Sequence, residues 1–402
     1  MKKKVILALI LVVIFIFVNN KEKELNVLET KELNNNTLSM MLETSAGTGE
    51  YQEVTASSWP TEGYVFNENL SICENGSNLS WDNINKKVIM EGNSADKCYV
   101  YFDVKPPETL ANHIKSLYTT QGANNLYLHD STLENGAGDN SYRFAGPSET
   151  TNNFVCFGYD SQDGTCPTDN LYRIIGVFGD NVKLIKYDYA KASLLGTDGD
   201  YVRTYEADSS SYKGNNTISD IGVYTWSSEL WKEANINTVN LNMNFLNNIG
   251  NKWSNKITIN SWKLGNASPV SYHYNSNEIY KNEIGSSRGE IKTKISLMYM
   301  SDYGYAAAPS AWNTILDEYS ILSVKSVNWM YMGLSESTSS YTALEKITRA
   351  IEPNSVLYIE SSGGLGAILY YNSFSMRPAF YLNSNVSYIS GSGTISSPYI
   401  LE

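Results

Sequence analysis

The end of the chain constrains the fold most. Residues 372–402 read NSFSMRPAFYLNSNVSYISGSGTISSPYILE. Met376, Ala379, Phe380, Tyr381 and Leu382 form an apolar, β-prone run that opens at the Arg377-Pro378 step. Gly391-Ser392-Gly393 supplies a turn, and Pro398-Tyr399-Ile400-Leu401 is a second run able to return beside the first. A chain end this apolar frays unless a sheet ties it down. The pattern predicts a C-terminal β-hairpin that closes the domain before it. Arg377 is read as structural, because its rigid guanidinium fork suits a buried ion pair.

The start of the chain sets the compartment. Lys2-Lys3-Lys4 precedes Val5–Val18, fourteen apolar residues without a charge. As a helix this run spans roughly 21 Å, short of the ~30 Å hydrocarbon core. Residues 1–18 therefore read as a signal peptide, or as an uncleaved signal-anchor helix that would hold the chain to the membrane. In either case the remainder is extracytoplasmic, on the cell surface or secreted. The formal net charge of −12 and the lack of any basic run after Lys4 argue against a nucleic-acid partner.

Four cysteines, Cys73, Cys98, Cys156 and Cys166, suit that compartment. Their spacings fall into two neighbourhoods, which favours Cys73–Cys98 and Cys156–Cys166 among the three connectivities. The spacings contain no C-x-x-C pair, and the histidines (His113, His129, His273) lie far apart, so a zinc site is disfavoured.

Between the ends, residues 19–38 read as a charged, Asn-rich spacer, and 39–104 as a small β domain. Its clearest strand is Cys98–Val104, with Cys98, Val100, Phe102 and Val104 on one face. Pro106-Pro107 opens a linker with one short helix, Thr109–Tyr118, within 105–121. Residues 122–402 form the main domain. Asn170–Lys186 is its strongest hairpin signal, turning at Gly179-Asp180-Asn181. Trp226–Trp253 is helical in character. Lys292–Tyr303, Asn328–Leu334, Ser355–Ile359 and Gly366–Tyr371 read as later strands. Helices early and short strands late predict an α+β fold.

Several segments carry a resemblance. LYRIIGVF with KLIK, LLGTDGDY, LNMNFLNNIGNKW, LMYMSDYGYAA, NWMYMGL and the terminal RPAFYLNSNV together resemble surface proteins of Firmicutes and Mollicutes that end in a C-type-lectin-like domain. That domain is distantly similar to formylglycine-generating enzymes and to the variable receptor-binding proteins of diversity-generating retroelements. CENGSNLSWD with KCYVYFDV resembles the small β domain found beside it. The resemblance spans roughly residues 45–402 and implies a β-sandwich stalk followed by a C-type-lectin-like domain closed by the terminal hairpin. It implies no ligand, because fold does not dictate function.

The chemistry points to binding rather than catalysis. The histidines form no HExxH motif and neighbour no serine elbow, and Gly363-Gly364-Leu365-Gly366 is a turn, not a dinucleotide loop. The chemistry of the formylglycine-generating relatives needs late cysteines, and here every cysteine lies at or before position 166. No cofactor is expected. Calcium is the one ion for which oxygen-rich loops exist, with Asp160, Asp163, Asp198 and Asp200 as candidate ligands. Glu352-Pro353-Asn354 matches a lectin sugar-binding triplet but lacks its Trp-Asn-Asp companion. The expected ligand-binding face lies between Met332 and Asn372, with Ser335, Glu336, Ser339, Tyr341, Tyr358, Glu360, Tyr370, Tyr371 and Asn372 on it. The reading is a non-catalytic adhesin or receptor-like module for a protein or glycan on another surface. A cell-envelope hydrolase or other extracytoplasmic enzyme and a structural surface component are the alternatives.

Overall fold

The computed structural model describes residues 25–27, 38–55, 58–60, 62–161, 164–228, 230–264, 273–285, 289–342 and 355–402. The chain divides into two compact units, Met1–Pro107 and Glu108–Glu402. The run Val5–Val18, the triplet Glu352-Pro353-Asn354 and Asp163 lie outside the described residues. Among the described residues, no helix is long and apolar enough to cross a membrane.

Among the described residues, the first unit carries eight strands: β1 (Leu25–Val27), β2 (Leu38–Glu43), β3 (Tyr51–Val54), β4 (Tyr64–Phe66), β5 (Ile72–Cys73), β6 (Asn78–Asp82), β7 (Lys87–Glu91) and β8 (Cys98–Val104). One sheet runs β3-β2-β8-β4 with β5 also on β8, and the other runs β1-β7-β6. The strict alternation of β8 buries Cys98, Val100 and Phe102. Those side chains share a core with Met40 from β2, Val88 and Met90 from β7, and Trp59. Residues of both sheets thus meet in one apolar layer, as in a sandwich. The Cys73–Cys98 disulfide ties β5 to β8. Leu25–Val27, within the stretch expected to be a spacer, instead pairs along β7.

The second unit opens with the helix Leu110–Ser116, capped by the Thr109 side chain. Its Leu110, Ala111 and Ile114 belong to the unit's main core. The strands that follow are β9 (Leu126–Leu128), β10 (Tyr142–Phe144), β11 (Phe154–Cys156), β12 (Leu171–Phe178), β13 (Asn181–Lys186), β14 (Tyr201–Thr204), β15 (Gly222–Tyr224), β16 (Asn260–Leu264), β17 (Gly289–Thr293) and β18 (Ile295–Ser296). After them come β19 (Glu336–Thr342), β20 (Ser355–Ile359), β21 (Leu365–Leu369), β22 (Phe374–Ser375), β23 (Ala379–Tyr381), β24 (Tyr388–Ser390) and β25 (Ile400–Leu401). The fold is α+β with strands predominating.

One sheet runs β18-β23-β13-β12-β10-β9 with β11 also on β12; a second runs β14-β15-β22-β19-β20-β21. The β12–β13 hairpin forms where its local pattern places it, with Gly179 at positive φ in the turn. Gly176 lies where β10 comes closest, and a Cβ there would collide with the Tyr142 carbonyl. The Cys156–Cys166 disulfide closes the loop leading into β12.

Three expected strands are corrected. The run from Ala379 does not pair with the run from Pro398. It enters the large sheet as β23, between β13 and β18, while β25 pairs with β24. The terminal hairpin is therefore Tyr388–Leu401. Lys292–Tyr303 is not one strand. It ends β17, passes through β18 and becomes the helix Met300–Ala306, buried along its whole length. Asn328–Leu334 is buried but irregular; Asn328 Oδ1 accepts from the Met330 N–H, and its amide donates to the Tyr303 carbonyl. Side-chain hydrogen bonds there replace a ladder.

Phe380 stands at the centre of this packing, with ring centroids 5.0 Å from Phe157 and 5.4 Å from Tyr172. Phe380→Ala should lower the unfolding free energy of the Glu108–Glu402 unit by about 3–5 kcal/mol. A denaturant titration that finds under about 1 kcal/mol would show that β23 is not a core strand.

Candidate functional site

Three of the expected ligand-binding residues, Ser335, Tyr358 and Asn372, line one cleft of about 270 Å³. Arg203, Tyr205, Glu206, Val223 and Phe374 are among the other residues that line it. The second sheet builds this site: β15 joins β14 to β22, with Val223 opposite Arg203 on one side and Ser375 on the other. Tyr358 on β20 faces Gly366 on β21, where any Cβ would strike the tyrosine ring. The ring leans on Phe374, 4.7 Å away, and its hydroxyl pKa is raised by burial and by the Glu360 carboxylate. Strand alternation divides β20 as expected: Val356 packs into the main core with Tyr358 beside it, while Leu357 and Ile359 enter a second core.

The other expected residues scatter. Glu360 accepts from the Ser362 hydroxyl at 3.1 Å. Tyr370 and Tyr371 pair edge to face at 5.6 Å, and Tyr371 is 60% exposed. Ser339 and Tyr341 belong to β19, with Tyr341 opposite Val356; their side chains lie outside the described residues.

Glu336 is a correction. It is 2% exposed and holds Arg377 in a two-pronged pair, with Nε to Oε1 and a terminal guanidinium nitrogen to Oε2 both at 2.7 Å. Burial pushes its carboxyl up against the pull of the Arg377 guanidinium. Arg377 also donates to the Met330 carbonyl at 2.8 Å. The pair is sealed in the fold and offers nothing to a ligand.

The described calcium candidates, Asp160, Asp198 and Asp200, do not form a group placed to hold a metal ion. Asp160 pairs with Lys252 at 2.5 Å. The Asp198 carboxylate accepts from the Asn244 amide at 2.6 Å. Asp200 is 4% exposed and accepts from the Ser227 and Ile236 N–H groups. A carboxylate filled by N–H donors pins a loop rather than facing a cation. Among the described residues, no group of three or more His, Cys, Asp or Glu is placed to hold a metal ion.

Sequence reasoning missed a buried ionic cluster. Lys183 on β13 is fully buried and meets Asp302 Oδ2 at 2.6 Å. Its Nζ lies 4.4 Å from the Tyr299 ring centroid, 5.0 Å from that of Trp262 and 5.3 Å from that of Tyr381. Burial pushes the ammonium pKa down, and Asp302 pulls it back up. Arg143 on β10 pairs with Asp139 at 2.6 Å and faces the rings of Phe178, Tyr280 and Tyr305. Arg173 on β12 lies between Phe154 and Trp329 and donates to Asn153, Ser148 and the Thr151 carbonyl; burial lowers its pKa to about 9. Arg143 and Arg173 are each a lone charge among apolar and aromatic neighbours, in SYRF and LYRII, and Lys183 interrupts the apolar run VKLI. That pattern is the available signal, since a lone charge inside a buried strand requires a partner.

His129 adjoins the cluster. Its ring is fully buried, Nδ1 accepts from the Ala137 N–H, and the rings of Tyr305 and Trp312 lie about it. Burial and the Arg143 charge depress its pKa. His113 stacks on Tyr388 at 3.6 Å with the Glu108 carboxylate beside it at 3.3 Å. Comparison of the chain with protein-family models, curated proteins and solved structures finds no match.

Two outcomes follow from these buried groups. Arg377→Met alone should cost about 3–5 kcal/mol by leaving Glu336 buried and unpaired, whereas Arg377→Met with Glu336→Leu should cost distinctly less. Additive losses in the double-mutant cycle would mean that the two side chains act independently. For His129, the unfolded chain takes up a proton near pH 6.5 and the folded ring does not. Its stabilising contribution is complete above that pH and is lost below it, by at most about 1.4 kcal/mol per pH unit. Urea midpoints from pH 7 to 5 should fall more steeply for the native chain than for His129→Asn, and parallel profiles would place the titration elsewhere.

Proposed function

We propose that the chain is an exported, non-catalytic cell-surface binding protein of the adhesin or receptor-like kind. Its Glu108–Glu402 unit has a C-type-lectin-like layout and recognises a protein or glycan on another surface. The two disulfides favour an oxidising compartment. The layout draws support from the way the unit's ends meet: Thr109 bridges Ser387, and Leu110 donates to the Val386 carbonyl. The first unit is a β stalk in this reading.

The observation that carries the reading is the cleft at Tyr358. It combines aromatic rings (Tyr205, Tyr358, Phe374) with an exposed cation and carboxylate (Arg203, Glu206) and with Asn372. Rings supply contact area at little rotamer cost, and the polar groups fix orientation. Arg203 is the cation in the lining of this cleft, and its side chain is half exposed, so a ligand can reach it.

Glycan and protein-ligand arrays, run with and without EDTA, would identify the ligand class and any calcium dependence together. Against whichever ligand is found, Arg203→Ala and Tyr358→Ala should each weaken binding by roughly 1–3 kcal/mol. Arg203→Ala should leave the thermal midpoint unchanged, because that side chain is exposed. Full affinity in both variants would move the binding face elsewhere.

A further inference from the structure

A second cleft, of about 330 Å³, lies in the Glu108–Glu402 unit and shares no residue with the Tyr358 cleft. Lys186 at the end of β13 and Tyr172 on β12 form its floor, and Leu194 and Ile249 from two short helices form apolar walls. Asp169 and Lys191 stand at its rim.

Lys186 is 2% exposed, yet the protein satisfies little of it. Its Nζ donates once, to the Asp169 main-chain carbonyl at 2.7 Å, and lies 5.3 Å from the Tyr172 ring centroid. An ammonium has three N–H donors, so two have no protein partner among the described residues. The Asp169 carboxylate is turned to Lys191, at 2.8 Å. The Asp188 carboxylate is also taken, by the Tyr212 hydroxyl and by the N–H groups of Tyr189, Asn215 and Asn216. Burial lowers the Lys186 ammonium pKa to about 8, so at neutral pH the group remains mostly charged. Lys183, three residues earlier on the same strand, has rings around it and a carboxylate against it. Lys186 has the ring and the burial but no carboxylate in contact from the protein.

A buried charge without a counter-ion in contact is costly; Arg173 offsets that cost with four neutral acceptors, whereas Lys186 has one and leaves two N–H groups for a ligand. The walls select what that is. Leu194, Ile249 and Tyr172 offer apolar contact to the body of a ligand, beside the polar side chains of Asn170, Ser193 and Asn248. Lys191 offsets the Asp169 carboxylate at the rim, which leaves the single Lys186 ammonium to meet an anion, and one positive charge matches a monoanion rather than a doubly charged phosphate. We propose that this cleft binds a small organic carboxylate, its anionic end accepting the two unused Lys186 N–H groups and its apolar part lying against Leu194 and Ile249. At about 330 Å³ the site is at the small end for ligand pockets.

Hexanoate, its neutral counterpart hexanamide and inorganic phosphate are the probes, titrated calorimetrically into the full chain near pH 7. Hexanoate should bind, and hexanamide should bind about tenfold more weakly or not at all, since charge-assisted hydrogen bonds carry the contact. Lys186→Met keeps the length of the side chain and removes its charge. It should lose hexanoate binding by about tenfold or more without lowering the melting temperature, because no unpaired charge is left behind. The comparison of hexanoate with hexanamide needs no variant and decides the matter even if Lys186→Met folds poorly. Absence of hexanoate binding, equal binding of hexanamide, or undiminished binding to a folded Lys186→Met chain would each overturn the site. Phosphate binding in preference to hexanoate would overturn the carboxylate assignment.

Discussion

The Arg377–Glu336 pair holds the place where one chain segment serves two sheets. Phe374–Ser375 belongs to the sheet that carries the Tyr358 cleft, and Ala379–Tyr381 belongs to the other. Only Met376, Arg377 and Pro378 join them. A second segment crosses alongside: the Ala190 N–H donates to the Met376 carbonyl, and the Lys186 N–H donates to the Pro378 carbonyl. Arg377 reaches from this crossing to Glu336 at the start of β19, so a single fork of hydrogen bonds fixes how the strands leave one sheet for the other. Proline has no N–H to leave unpaired at the crossing, and its fixed φ sets the exit of the chain.

The remaining buried cations follow the same logic at other points of the large sheet. Lys183 ties the middle of β13 to the N-terminal turn of the Met300–Ala306 helix through Asp302, and Asp302 also accepts from the Tyr299 N–H that begins this helix. Arg173 links β12 to the irregular stretch after Asn328 by a hydrogen bond to the Trp329 carbonyl and by its ring. Buried ion pairs add little net stability compared with apolar substitutes of the same shape, but their partners are not interchangeable. Segments without regular structure are therefore held in one place by groups that tolerate one geometry.

What was legible in the sequence was local. The β12–β13 hairpin needs only two apolar runs and a Gly-Asp-Asn turn, the face of β8 needs only alternation, and both disulfides join cysteines near in sequence. What was not legible was long-range or aperiodic. The partner of β23 on one side is β13, nearly two hundred residues earlier, and no local pattern distinguishes that pairing from a hairpin with the nearer run at Pro398. The helix Met300–Ala306 is buried on every side, so it shows no 3.6-residue period to separate it from a strand. At the candidate site, Ser335, Tyr358 and Asn372 were in view, but Arg203 on β14 and Tyr205 and Glu206 just after it come from far back in the chain. Glu336 was misplaced because a carboxylate in a polar Ser-rich segment looks solvated, and only its distant partner Arg377 shows otherwise.

The position of β23 also sets an order of events for folding. Until Ala379–Tyr381 has been delivered, β13 and β18 have no strand between them, and each presents open N–H and C=O groups along a long apolar sheet. The unit cannot seal as it emerges, segment by segment. It must wait for nearly its whole length, then accept a late strand into the centre of a waiting sheet. Before that strand is in place, the open edges of β13 and β18 are free to pair with other chains, so the pairing of distant segments governs how long the unit stays adhesive.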